Sequence, residues 1–404
     1  MRMNRVGARV ALGVCGSVLA AQVAAAAPAA AGQQDLRYDQ WGLEAIGAAA
    51  AEAPSQGAGI TVAVLENGVV DTHPDLKDAV TIGTDFTGRE LKPGDDGYGD
   101  PGTGLAGIIA ARGHGKEHIG GVVGVAQEAE ILSVRVRSDS RGSTETAREL
   151  AEGIRYAVGE GARVITLPVG ENAEGDDSVQ QAISYADRSG VLVVAPGGDG
   201  GTEGGKAYPA AYDGVFAVGA VDADLRLADF SSRQDGIALA APGVEVRTIS
   251  ADGGYTTASG TAEAAAFVAG AAALIRAEHP QLLPEQVSDA LTSGAQPPVE
   301  GEGAAGYGAG VLNAADAVAA AGSTAEDIPL FDEDLAEQAD DSAIPAWAPW
   351  AAGAGLAAVV LVVVAVLWRR SMADPYRLAP RGTARRKAAA AAPARRRGGA
   401  RRKR

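Results

Sequence analysis

Residues 60–76 read ITVAVLENGVVDTHPDL. The run 60–65 is apolar and rich in β-branched side chains, and Glu66 and an Asn-Gly pair at 67–68 follow it directly. Short apolar runs that end in turn residues are typical of strands buried on both faces. The segment therefore predicts a buried strand, with the carboxyl group of Glu66 just beyond it.

The same pattern recurs through residues 34–321, where apolar runs alternate with stretches of helical periodicity. This alternation favours an α/β fold, in which helices cover both faces of a mainly parallel sheet. Binding sites in such sheets lie at the carboxyl ends of the strands. The predicted strands are residues 60–65, 131–136, 164–167, 191–195 and 215–221, and the predicted helices are residues 143–159, 178–189, 261–278 and 284–293.

Composition allows one large domain with accessory segments. The chain has 404 residues, of which 47% are hydrophobic and only 4% aromatic, so we expect a core built from small, closely packed side chains. The one cysteine, Cys15, lies in the N-terminal apolar stretch. If that stretch is removed, the mature chain has no intramolecular disulfide.

The first 31 residues have the pattern of a secretory signal peptide. Three arginines among the first nine residues precede an apolar run at 10–23, and a stretch of small residues at 24–31 follows. The alternative is an uncleaved N-terminal anchor, for which this run is short.

The C-terminal part predicts a membrane anchor. Eight Asp and Glu residues fall in the predicted linker, residues 322–346, and the following span 347–368 has no charged residue. A span of that length crosses a bilayer, and its tryptophans at both ends suit the interfaces. The basic tail, residues 369–404, then predicts a single-pass type I protein in the cell membrane, with residues 32–346 outside. Nucleic-acid binding is the weaker alternative for the tail, and we expect no nucleic-acid partner.

Charge is strongly asymmetric along the chain. The tail holds fourteen Lys and Arg residues against one acidic residue, Asp374, whereas residues 10–368 carry a net charge near −32. The outer part therefore favours partners with basic surfaces. Clusters of basic residues such as those in the tail attract anionic lipids on the cytoplasmic side.

Four segments together resemble the subtilase family of serine proteases. They are residues 60–76, residues 100–112 (DPGTGLAGIIAAR), residues 191–200 (VLVVAPGGDG) and residues 259–274 (SGTAEAAAFVAGAAAL), in the chain order of that family's Asp, His, Asn and Ser segments. The resemblance implies a subtilisin-like three-layer fold over residues 32–321, with one C-terminal transmembrane helix added.

One branch of the family is similar in architecture as well. The signal peptide, residues 40–43 (QWGL) and the C-terminal span resemble the mycosins, which are membrane-anchored subtilases of actinobacterial type VII secretion systems. This resemblance implies membrane-protein partners from such a system.

The resemblance also assigns the family's functional positions. A serine protease needs a nucleophile, a base, a carboxylate that orients the base, and a donor to the oxyanion. The matching residues here are Ala262 for the Ser, Pro101 for the His, Glu66 for the Asp and Gly198 for the Asn. Alanine has no nucleophilic oxygen and proline has no basic ring nitrogen, so we expect no protease activity. Asp100 is predicted as the N-cap of the helix that Pro101 begins.

The strand that pairs with substrate in the family matches residues Thr166, Leu167, Pro168, Val169 and Gly170. Pro168 has no N–H to donate, so substrate pairing of the family type is weakened.

The favoured hypothesis is a catalytically inactive, membrane-anchored scaffold or partner of a type VII secretion system. One alternative is a non-catalytic module that binds extended peptides of secreted substrates. The other is an active endopeptidase with an unusual site. None of these hypotheses requires a metal or a cofactor.

Overall fold

The computed structural model describes residues 36–51, 53–137, 147–168, 175–203, 205–299 and 305–326. The chain divides into two units, Met1–Ile328 and Pro329–Arg404, and the described residues all belong to the first. The predicted signal peptide, transmembrane span and basic tail lie outside the described residues. Within those residues, no helix combines the length and the apolarity that a membrane crossing requires.

A seven-stranded parallel sheet organises the first unit. The strands of the described chain are β1 Thr61–Glu66, β2 Val80–Asp85, β3 Arg112–His114, β4 Gly120–Val123, β5 Glu130–Arg135, β6 Val164–Thr166, β7 Leu192–Pro196, β8 Val215–Val221, β9 Ile237–Pro242, β10 Val246–Ile249 and β11 Tyr255–Ala258. The order in the parallel sheet is β2-β5-β1-β6-β7-β8-β9, and every pair of neighbours is parallel. This arrangement confirms the predicted α/β class with helices on both faces.

Strand β1 is an interior strand of the sheet, and its alternate side chains fill two separate cores. Val62 and Val64 face one core, whereas Ala63 and Leu65 face the other. The first core includes residues from α2 and α5, and the second includes residues from α3 and α4. The helices are α1 Trp41–Ala45, α2 Asp100–Ala110, α3 Ala147–Gly159, α4 Asp177–Arg188, α5 Thr261–Glu278, α6 Pro284–Ser293 and α7 Ala314–Glu326.

Helix α5 explains the high content of small residues. Its bounds are those predicted, and 14 of its residues are buried, so it runs through the core with no polar face. At Gly270, a methyl group would lie 2.6 Å from Cβ of Val125. Such a close approach of the backbones requires Gly, and the Ala residues along the helix allow similarly tight packing.

Helix boundaries mostly follow the predictions, with two differences. The N-cap of α2 is Gly99 in the left-handed conformation, so Asp100 is the first helical residue and the predicted cap is wrong. Only glycine adopts that backbone at no steric cost, and this decides the start of the helix. Helix α7 continues to Glu326, beyond the predicted domain end at residue 321.

The last residues of the domain cover one edge of the sheet. Strand β9 is the edge strand, and isolated bridges join Leu239 to Gly308 and Ala240 to Val311. Tyr307 is fully buried beside them, where its hydroxyl accepts from the Leu227 N–H at 2.7 Å. This covering segment removes the open edge that β9 would otherwise present.

Candidate functional site

The carboxyl ends of β1, β6 and β7 meet at one edge of the sheet, where two helices begin. Glu66 ends β1, Gly198 follows β7, and Pro101 and Ala262 lie in the first turns of α2 and α5. Gly198 donates its N–H to Oγ1 of Thr261 at 3.1 Å, which ties the loop after β7 to the start of α5. The structure thus brings the four sequence-predicted positions to the same edge.

Glu66 is buried and paired with a guanidinium. The residue is 3% exposed, its Oε1 lies 2.9 Å from Nη1 of Arg137, and its Oε2 accepts from the Asn67 N–H at 2.6 Å. A buried carboxylate held in this way is stabilised by the neighbouring cation. Its observed partner is an arginine, which cannot act as a base at physiological pH.

Helix α2 begins in direct contact with the end of β1. A methyl group on Gly102 would lie 2.1 Å from the Gly68 carbonyl oxygen and 3.3 Å from Cβ of Glu66. The glycine therefore allows the first turn of α2 to pack closely against the end of β1. Pro101 lies in that turn and offers neither a titratable group nor an N–H.

The start of α5 is already occupied by a carboxylate of the chain itself. Oδ1 of Asp199 accepts from the Thr261 N–H at 2.9 Å and from Oγ1 of Thr261 at 2.8 Å. The N-cap residue, Gly260, has no side chain to supply this bond. Because helix N-termini attract anions, Asp199 takes the position that an external anion would otherwise seek.

Beside Ala262 lies a carboxyl group in an unfavourable environment. Glu263 is partly buried, and a methyl group on Gly260 would lie 2.6 Å from its Oε2 and 3.5 Å from Oδ2 of Asp199. Burial raises the pKa of Glu263 to about 7, and the negative charges of Asp199 and Glu66 contribute to the rise. Among the described residues, no basic side chain forms an ion pair with it.

The comparisons with known proteins agree with this architecture. The sequence profile described as the Subtilase family matches residues 57–315. The chain belongs to the subtilase family. It is 37% identical over 241 residues to Subtilisin DY of Bacillus licheniformis, which covers 59% of this chain and 84% of that protein. It is 36% identical to Thermitase of Thermoactinomyces vulgaris, over 59% of this chain and 82% of the relative. Subtilisin Savinase of Lederbergia lenta is 36% identical over 68% of this chain and 96% of the relative.

In this subtilase, the strand that is predicted to pair with substrate is buried where the structure describes it. Thr166 and Leu167 are each 1% exposed and Pro168 is buried, while Val169 and Gly170 lie outside the described residues. Oγ1 of Thr166 has no hydrogen-bond partner in the described part of the chain. The part of the groove that the structure describes therefore presents little surface to a peptide.

Sequence reasoning missed a second polar cluster in this subtilase. Asp75 is fully buried, its Oδ1 lies 2.5 Å from Nδ1 of His114, and its Oδ2 accepts from the Val122 N–H at 2.9 Å. The Tyr255 hydroxyl lies 3.4 Å from the same imidazole nitrogen, and burial raises the pKa of Tyr255 to about 12. The cluster joins three parts of the chain that are distant in sequence, around Asp75, the β3–β4 hairpin and Tyr255, so no local motif predicts it.

No group of three or more His, Cys, Asp and Glu side chains within the described ranges has the geometry of a metal site.

The two histidines near Asp75 have different roles. His73 accepts from the Asp75 N–H at its Nδ1 and bonds the Gly254 carbonyl through Nε2, while burial lowers its pKa. His73 is thus a neutral structural residue, and His114 is the partner of the buried carboxylate.

Replacing Asp199 by alanine should destabilise the protein by about 1–2 kcal/mol, because both bonds to Thr261 at the start of α5 are lost. Urea denaturation at pH 7 measures the effect. Asp187→Ala is the matched control, since Asp187 is an exposed carboxylate of α4, and it should change stability by less than about 0.5 kcal/mol. Equal effects of the two substitutions would contradict the capping role of Asp199.

Proposed function

We propose that this protein is a catalytically inactive, membrane-anchored subtilase of the mycosin type, which acts as a scaffold or partner in a type VII secretion system. The observation that carries the proposal is the chemistry at the start of α5 and α2, where Ala262 and Pro101 occupy the positions that the family resemblance assigns to nucleophile and base.

The neighbouring groups do not supply replacements. Thr261 has a hydroxyl next to Ala262, but the residue is fully buried and its hydroxyl donates to Asp199. Glu66 is engaged with Arg137 rather than with an imidazole. Covalent catalysis needs a nucleophile that the substrate can reach and that lies within hydrogen-bond distance of a base, whereas the Thr261 hydroxyl that pairs with Asp199 is buried.

The remaining features favour a role through surface contacts. The subtilase profile matches residues 57–315. The loss that we propose concerns only the positions of the nucleophile, the base and their partners. The net charge near −32 of residues 10–368 favours a partner with a basic face. An anchor at 347–368 would hold the domain near the membrane and raise its effective concentration toward other membrane proteins.

The test is complementation of a deletion strain with anchored and soluble forms. We expect the full chain to restore secretion through the type VII system and a chain that ends at Ala346 to fail, because the latter is released from the membrane. Immunoblots of the membrane fraction and of secreted substrates are the measurements.

The Ala262→Ser variant of the full chain is the control, and it should complement as well as the natural chain. A hydroxyl without a base creates no protease, so restoration is independent of chemistry at that position. Full rescue by the soluble form would refute the anchored-scaffold proposal.

A further inference from the structure

The outer face of α3 and α4 carries a concavity of about 580 Å³. These helices cover the face of the sheet opposite to α2 and α5, so the concavity is separate from the site described above. It is lined by side chains that can donate hydrogen bonds, one of which has an aromatic ring. The lining residues are Arg155, Gln180, Gln181, Ser184, Tyr185 and Arg188.

The two arginines come from different helices, Arg155 from α3 and Arg188 from α4. Nη2 of Arg155 donates to the Ser178 carbonyl at 3.3 Å, which places its guanidinium by the first turn of α4. Arg188 is the last residue of that helix. Ten residues of helix separate Ser178 from Arg188, a rise of about 15 Å. Tyr185, which is 41% exposed, belongs to the same helix and also lines the concavity.

The positive charge of this surface is not neutralised locally. No carboxylate lines the concavity, and among the described residues neither guanidinium forms an ion pair. The nearby Glu152 is engaged with Arg148, 2.9 Å away on the same helix. Residues 10–368 are otherwise strongly acidic, so this surface is positively charged on a domain that is negatively charged as a whole.

We propose that this concavity binds an extended acidic segment of a partner protein, with one carboxylate at each arginine and an apolar side chain on Tyr185. In an extended chain, residues four apart are separated by about 13 Å, which is comparable with the backbone rise from Ser178 to Arg188. Guanidinium groups bind carboxylates through two parallel hydrogen bonds, which fixes the orientation of the segment. The rigid helices supply a preformed surface, so little ordering is needed on binding.

The inference is independent of the proposed function, because it involves other residues on another face. The probe is a fluorescein-labelled peptide, Glu-Ala-Leu-Ala-Glu, titrated with the purified full chain at low salt and followed by fluorescence anisotropy. We expect saturable binding that weakens as salt rises. The basic tail of the full chain also attracts an acidic peptide, so only the binding that is lost on substitution of Arg155 and Arg188 is assigned to the concavity. The matched peptide Gln-Ala-Leu-Ala-Gln should bind at least tenfold more weakly.

Variants assign the binding to the concavity. The double variant Arg155→Gln/Arg188→Gln should weaken binding about tenfold or more, since each exposed ion pair contributes up to about fivefold. Arg148→Gln is the control, because Arg148 is 82% exposed on the same helix and does not line the concavity. All three positions are exposed, and unchanged thermal unfolding would show that the fold is retained.

Two outcomes would overturn the inference. One is equal affinity of the double variant and Arg148→Gln for the peptide, or no saturable binding at all. The other is binding to phosphatidylglycerol vesicles that depends on Arg155 and Arg188 while the peptide does not bind, which would assign the surface to lipid headgroups instead.

Discussion

Incubation of the purified full chain with a fluorophosphonate probe should leave every serine unlabelled, and hydrolysis of casein should stay at the buffer rate. The reason is chemical: Ala262 has no oxygen to attack a carbonyl and Pro101 has no nitrogen to accept a proton. In subtilisin, a relative of this chain, loss of the Ser or the His alone lowers kcat by about 2 × 10⁶. We therefore expect a rate at least about a million times below that of Subtilisin DY under the same conditions.

Two controls sharpen this prediction. Subtilisin DY, assayed in parallel, should be labelled stoichiometrically. The Ala262→Ser variant should remain unlabelled, because Pro101 supplies no base for the added hydroxyl and Glu66 is already paired with Arg137. Stoichiometric labelling of the natural chain at any serine would show that a working nucleophile exists and would sink the prediction.

The substitution Glu263→Gln should stabilise the protein by up to about 3 kcal/mol at pH 8. The pKa of Glu263 rises from its ordinary value of 4.5 to about 7 in the folded state. Between these values the folded chain holds a proton that the unfolded chain releases, so stability falls as pH rises through this window. Glutamine has nearly the same shape as glutamate but no charge, so the variant does not lose stability as the pH rises through this window. Thermal unfolding should show a rise in Tm of roughly 5–10 °C at pH 8.

Measuring the stability gain at two pH values distinguishes removal of the Glu263 charge from a general effect of the substitution. Near pH 4.5 the folded natural chain is protonated at Glu263, and the stability difference should shrink to about 0.4 kcal/mol. Glu285→Gln is the matched control, since Glu285 is also in the first turn of a helix but is exposed. It should alter stability by only a few tenths of a kcal/mol at either pH. An equal gain at pH 4.5 and pH 8 would contradict the origin that we assign.

Elements with a strong local pattern could be predicted from the sequence. The bounds of α5, α6 and β8 are those predicted, because long apolar or periodic runs decide them without help from distant residues. Strand β2 was not predicted, since its exposed edge position leaves polar residues along much of its length. The hairpins β3–β4 and β10–β11 were likewise missed, because short strands with mixed polarity carry little periodic signal.

The sequence could predict which residues form the candidate site, but not the contacts that those residues make. The family resemblance assigned Glu66 and Ala262 from their flanking residues, and the sheet brings them to one edge. It could not reveal that Arg137 pairs with Glu66 or that Asp199 caps α5, since both contacts join residues far apart in sequence. The raised pKa of Glu263 also depends on burial and on two neighbouring carboxylates, which no local motif encodes.

The segment that covers β9 has a consequence for the order in which the chain can fold. Gly308 and Val311 belong to the last part of the domain to leave the ribosome, yet they pair with residues some 70 positions earlier. Until they emerge, β9 has an open edge that can join strands of other nascent chains. Completion of the sheet is therefore a late step in the folding of the domain, and a chain cut or stalled before residue 306 keeps the edge of β9 open.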